Sequence, residues 1–117
     1  MSENYSLSLV IPVYNEEENV RESISKINRS LSEYFKDYEI IIVESGSTDK
    51  TPQLTDQLVK EYKKIIVVHQ KSRLGYGNAI REGFKEAKNK IVGYTDCDDV
   101  FDLKEFRKII ENIKGYS

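Results

Sequence analysis

The sequence predicts an α/β protein built on an open, mainly parallel sheet of about four strands with helices on both faces. Two observations carry that expectation. Short runs rich in branched apolar residues recur along the chain, and the segments between them space their apolar residues by three and four. The runs are continuously apolar rather than alternating, as strands are when both faces of a sheet are covered. Alternation of the two patterns makes the fold Rossmann-like.

The first predicted strand spans 7–13 (LSLVIPV). In the helix after it, Val20, Ile24, Ile27 and Leu31 step by four, three and four and line one face. Asn15 is placed as its cap, with Glu16, Glu17 and Glu18 in a first turn where the macrodipole favours acids. A second strand covers 39–43 (EIIIV). The next helix opens at Thr51-Pro52, with threonine as cap, proline at the first helical position, and Leu54, Leu58 and Tyr62 inward. The third strand is 65–69 (IIVVH), and the helix that follows, over about 78–87, turns Ile80, Phe84 and Ala87 inward. The fourth strand is 91–95 (IVGYT). A last helix follows Asp102, a cap with Glu105 three residues on, and buries Leu103, Phe106, Ile110 and Ile113.

A length of 117 residues suits one domain, 1–117, around one core. The net charge of -2 lacks the basic excess of a dedicated nucleic-acid binder. Phosphorylated ligands stay open, because backbone amides and a metal neutralise phosphate locally. Cys97 is the one cysteine, so no intrachain disulfide forms and a reducing compartment is the simplest reading. The first residues, MSENYS, do not read as a signal peptide, and no apolar run approaches the roughly 20 residues of a membrane-spanning helix. A cytoplasmic location is therefore expected.

Ligands of open parallel sheets collect beyond the carboxyl ends of the strands. The first strand ends in Pro12-Val13-Tyr14-Asn15-Glu16, the second in Glu44-Ser45-Gly46-Ser47-Thr48-Asp49, the fourth in Asp96-Cys97-Asp98-Asp99. Carboxylates from these three ends are expected to converge on one rim, where a bound cation would relieve their repulsion. Asp96 and Asp98 suit Mg²⁺ or Mn²⁺, although the same aspartates also fit a solvated turn or a helix cap. Gly46 permits a left-handed residue or a close ligand. The stretch from Arg73 through Gly75 to Asn78 opens a helix and offers backbone amides and an arginine to a diphosphate. His69 has no partner histidine or cysteine at ligand spacing, which disfavours a metal role. Cys97, between carboxylates, reads as a small filler rather than a nucleophile.

Together, LSLVIPVYNEEENV, EIIIVESGSTDKT and RLGYGNAIREGFKEAKNKIVGYTDCDD resemble the family 2 glycosyltransferases of GT-A fold, in their dolichyl-phosphate mannose or glucose synthase-like flavour. The resemblance implies an inverting, metal-dependent transfer of sugar from a nucleoside diphosphate sugar, UDP- or GDP-linked, to an acceptor such as a polyprenyl phosphate. It places Pro12, Tyr14, Asn15 and Glu16 in the first nucleotide loop. Glu44 and Ser45 fall where the family usually carries two aspartates that contact base and ribose, with Gly46 beside them; here one acid is longer and the other is lost. Arg73 and Gly75 fall near the diphosphate. Asp96, Cys97 and Asp98 fall on the D-x-D motif, with Asp98 the direct metal ligand and Asp96 nearer the ribose or sugar.

The resemblance reaches only the N-terminal half of a usual family domain, a partial GT-A fold. The acceptor-side base would lie beyond the D-x-D motif, so the isolated chain is expected to bind donor without completing transfer. The alternative is a non-catalytic nucleotide-binding or assembly module. It would dimerise through the exposed edge of the fourth strand, or pair there with the missing C-terminal half.

Overall fold

The computed structural model describes residues 6–97. Its elements follow in the order β1 (Ser6–Val13), α1 (Val20–Tyr34), β2 (Asp37–Ser45), α2 (Thr51–Glu61), β3 (Ile65–Gln70), α3 (Tyr76–Glu86) and β4 (Ile91–Tyr94). The strands form one sheet in the order β3-β2-β1-β4, and every pairing is parallel. Asp98, Asp99 and the helix expected after Asp102 lie outside the described residues.

Period-two alternation divides the sheet between two cores. Leu7, Leu9, Ile11, Ile40 and Ile42 join Val20, Ile24, Ile27, Leu31 and Leu58 on the face covered by α1 and α2. Val10, Ile41 and Val43 meet Ala79 of α3 on the other face. The central strands β1 and β2 are thus buried on both sides, which is why they read as unbroken apolar runs.

Three helix details differ from expectation. Asn15 does not cap α1; that position belongs to Asn19, and Glu22 is the acid of the first turn. Asn15 instead takes a left-handed conformation (φ 51°), and its side chain is committed to another loop. In α2, Lys50 rather than Thr51 is the cap residue, and Thr51 is buried as the first helical residue.

The third difference is rotational. α3 begins earlier than expected and buries Ala79 and Gly83, leaving Phe84 43% exposed. A Cβ on Gly83 would come within 2.3 Å of Val10 Cγ1, so the helix lies too close to β1 for a large side chain. Phe84 turns toward the sheet edge and meets Tyr94 of β4, ring centroids 6.4 Å apart. Small residues four apart set the buried face, overriding the larger apolar residues beside them.

Candidate functional site

A cleft of about 310 Å³ opens at the carboxyl ends of the strands on the α3 side of the sheet. Pro12 and Val13 end β1 and Tyr14 and Glu16 follow it into the cleft, Ser45 ends β2, and Asp96 and Cys97 follow β4. Arg73, Gly75, Tyr76 and Ala79 close it from the start of α3. Among the residues expected from sequence, Pro12, Tyr14, Glu16, Ser45, Arg73, Gly75, Asp96 and Cys97 are therefore brought together. Asn15, Glu44 and Gly46 do not line the cleft, and Asp98 lies outside the described residues. Tyr76 and Ala79 were not anticipated. The pair Ala79 and Gly83, small residues spaced as helical neighbours, was the signal that this face of α3 approaches the sheet.

Asn15 and Gly46 act behind the wall. Asn15 Oδ1 accepts the Thr48 amide at 2.8 Å, while the Asn15 amide donates to Ser47 Oγ at 2.9 Å. The Glu16 amide donates to Thr51 Oγ1, the Glu17 amide to Asp49 Oδ2, and the Lys50 amide back to Glu17 Oε1. The loops after β1 and β2 are thus laced to each other, mostly through backbone amides, and of the acids placed in a helix turn Glu17 lends its carboxylate to this lacing. Asp49 also accepts the Thr51 amide. Burial is the largest single influence and opposes ionisation, but the hydrogen bonds from Thr51 and Glu17 together outweigh it and hold Asp49 below its ordinary value. Gly46 adopts φ 64°, and a Cβ there would lie 2.6 Å from Ser72 Cα. The close approach that excludes a side chain is to neighbouring backbone.

Among the described residues the expected convergence of carboxylates from three strand ends on one rim is not found. Glu16 and Asp96 line the cleft, but Glu44 points to the opposite face of the sheet from Ser45, because successive strand residues alternate. Glu44 is 2% exposed. Its Oε1 contacts His69 Nδ1 at 2.8 Å, and its Oε2 accepts the Ser47 amide. His69 Nε2 lies 2.7 Å from Asp56 Oδ1 on α2. Burial pulls the His69 pKa down, but hydrogen bonds and charge from Glu44 and Asp56 outweigh it and raise it above the ordinary value. Repulsion at Glu44 is thus relieved by an imidazole that the sequence reading left without a role.

Inside the cleft, the Arg73 guanidinium stacks over the Tyr14 ring at 4.2 Å from its centroid. Tyr76 Oη donates to Asp96 Oδ1 at 2.6 Å. Gly75, the cap residue of α3, has φ 100° and no side chain to cap the helix, and the Ala79 amide bonds back to its carbonyl. The amides of Tyr76, Gly77 and Asn78 precede that first helical bond and present the positive end of the helix. The arginine and the helix start thus share the cleft with Asp96 and Glu16.

The donor set is compatible with a hard divalent cation. Carboxylate oxygens suit Mg²⁺ or Mn²⁺, which take one or two protein carboxylates and fill the shell with water and phosphate. Among the described residues no three acidic, histidine or cysteine side chains gather around one point. An open site shared with a ligand's phosphates fits the described residues.

The parallel sheet in the order β3-β2-β1-β4, with helices on both faces, is a fold of GT-A type, and the sequence comparison agrees. The profile of glycosyl transferase family 2 matches residues 8–116, and the chain belongs to that family. It is 34% identical over 114 residues to a dolichyl-phosphate beta-glucosyltransferase of Trichomonas vaginalis, covering 93% of this chain and 35% of that protein. It is 33% identical over 111 residues to a dolichol-phosphate mannosyltransferase of Pyrococcus furiosus, covering 95% and 31%. Among solved structures, a mannosyltransferase from Pyrobaculum calidifontis in complex with GDP-Man and Mn²⁺ superposes with a TM-score of 0.82 at 23% identity, covering 93% of this chain and 32% of that one. S. aureus TarS in complex with UDP-GlcNAc gives 0.74 at 20% identity, over 94% and 31%. The chain thus spans about a third of the length of these relatives. Among the described residues no helix is long and apolar enough to cross a membrane.

Proposed function

We propose that the chain supplies the donor-binding part of an inverting glycosyltransferase that moves sugar from a UDP- or GDP-sugar to an acceptor, a polyprenyl phosphate being the class suggested by its relatives. The observation that carries this reading is that one cleft gathers cationic and carboxylate groups. Arg73 and the start of α3 offer positive charge to a diphosphate, and Asp96 lines the same cleft, bonded to Tyr76. In this reading Tyr14, Glu16 and Ser45 hold the nucleoside end. Asp96, with Asp98 next but one in sequence, would hold Mg²⁺ or Mn²⁺, which when bound stabilises the diphosphate leaving group as a Lewis acid.

Tyr76 keeps the Asp96 carboxylate turned into the cleft, and Tyr14 keeps Arg73 in place before any ligand arrives. Preorganisation of this kind lowers the entropy that binding must overcome. No described residue is assigned as the acceptor-side base. Titration calorimetry of the full chain with GDP-mannose, UDP-glucose and TDP-glucose, with and without Mn²⁺, tests the reading. Metal-dependent binding of at least one is expected, lost in Asp98→Ala with the fold intact; no binding to any of them would sink it.

One feature favours a second reading, assembly through the sheet edge. β4 is one of the two outer strands of the described sheet, and Val92 and Tyr94 on it are 38% and 55% exposed. Sedimentation showing only monomer at high concentration would remove it.

A further inference from the structure

A continuous chain of hydrogen bonds runs from α2 to the wall of the cleft. Asp56 Oδ1 meets His69 Nε2 at 2.7 Å, His69 Nδ1 meets Glu44 Oε1 at 2.8 Å, and Glu44 Oε2 accepts the Ser47 amide. Ser47 Oγ in turn accepts the amide of Asn15, whose neighbours Tyr14 and Glu16 line the cleft. Glu44 is therefore occupied on both oxygens, one by the imidazole and one by the loop. The charged groups against His69 are Glu44 from β2 and Asp56 from α2; α3 covers the other face of the sheet.

We propose that His69 is a positioning residue for the cleft, holding Glu44 and through it the loop after β2, so that affinity for a nucleoside diphosphate sugar follows the proton His69 carries. The inference rests on the nucleotide-binding reading and adds a regulator to it. Only the imidazolium has N–H groups on both nitrogens, so only that form donates to both carboxylates. A neutral ring sets a lone pair against one of them. At these separations the misplaced carboxylate is repelled, and Glu44 is the member whose displacement reaches the cleft.

Linkage makes the idea quantitative. If donor binds the protonated form roughly five- to tenfold more tightly, bound donor must lower the acid dissociation constant of His69 by the same factor, raising its pKa by roughly 0.7 to 1. Sugar nucleotides suit the test because their diphosphate has no proton to lose near neutral pH. His69 is the one histidine, so its ring signal needs no assignment among others.

The experiment follows that ring by NMR across pH in the full untagged chain, without ligand and then with GDP-mannose or UDP-glucose plus Mg²⁺. The Ser47 and Thr48 amide shifts are read in the same samples. The free protein should titrate above the ordinary histidine range, and both amides should move with the ring. Asp56→Asn, a change at an exposed site, should bring the titration down. Donor affinity should fall roughly five- to tenfold from pH 6 to pH 8.5 in the parent and stay flat in His69→Gln. An unchanged titration in Asp56→Asn, or an affinity profile that His69→Gln leaves intact, would overturn the role of His69. If no sugar nucleotide binds at any pH, the nucleotide reading fails by itself; amides that ignore the ring's titration would then overturn the coupling as well.

Discussion

Tyr76 donates its hydroxyl proton to Asp96 across the mouth of the cleft, tying the first turn of α3 to the segment that follows β4. The bond aims one carboxylate oxygen before any ligand is present. Tyr76→Phe removes it while keeping the ring's edge contact with Tyr94, whose centroid is 6.3 Å away. Loss of a hydrogen bond to a charged group is worth about 1.5–3 kcal/mol when fully buried and less here, where the pair is exposed. Metal-dependent donor affinity should drop roughly three- to tenfold by calorimetry, with little change in thermal midpoint.

Arg73 lies over Tyr14, so each should depend on the other. Tyr14→Ala should weaken binding of a nucleoside diphosphate about as much as Arg73→Ala. The double variant should lose less than the sum, because the two residues act as one unit. A fully additive cycle would show that the stacking does not position the guanidinium.

Gly83→Ala pits two effects against each other. Alanine in a helix gains roughly 1 kcal/mol over glycine, but the new methyl would meet Val10 Cγ1 at 2.3 Å. Overpacking in a closed core costs about 1–3 kcal/mol, so the variant should be destabilised in urea. Adding Val10→Ala should recover part of the loss, since it opens the space that the methyl needs.

Asn15 holds a left-handed backbone and accepts the Thr48 amide. Asn15→Ala loses both advantages and should cost about 1–2 kcal/mol in chemical denaturation. Asn15→Gly keeps the conformation and should cost less. Equal losses would mean that the side-chain bond alone matters.

The folded state binds the His69 proton more tightly than the unfolded chain, because Glu44 and Asp56 together outweigh burial. That contribution to stability is complete below the ordinary histidine value of 6.5 and is lost as pH rises through the elevated folded value. Urea midpoints measured from pH 6 to pH 9 should decline across that window. The decline should vanish in His69→Gln.

The fold was legible because strands buried on both faces need unbroken apolar runs, and those of β1 and β2 stand out within 7–13 and 39–43. The helix rotations were less so. Phe84 looks like a core residue by hydrophobicity, yet α3 lies so near β1 that only Ala79 and Gly83 fit beneath it. The acids after β1 had two uses open to them, a helix turn or a partner loop. Local preference favoured the first, and for Glu17 the long-range bond from the Lys50 amide to its carboxylate decided for the second.

What the sequence determined by itself is the order of strands and helices, the family, and the strand ends at which ligands would gather, since each follows from local pattern. What only the tertiary structure decided is which of those strand-end residues share a space. Glu44 and Ser45 are adjacent in the chain and part company across the sheet, while Tyr76 and Asp96 lie twenty residues apart and meet. His69, without a partner in any local spacing, finds its two carboxylates on different elements. Side-chain chemistry is written in the sequence; its pairing is set by the pleat of the strands and the packing of helices against them.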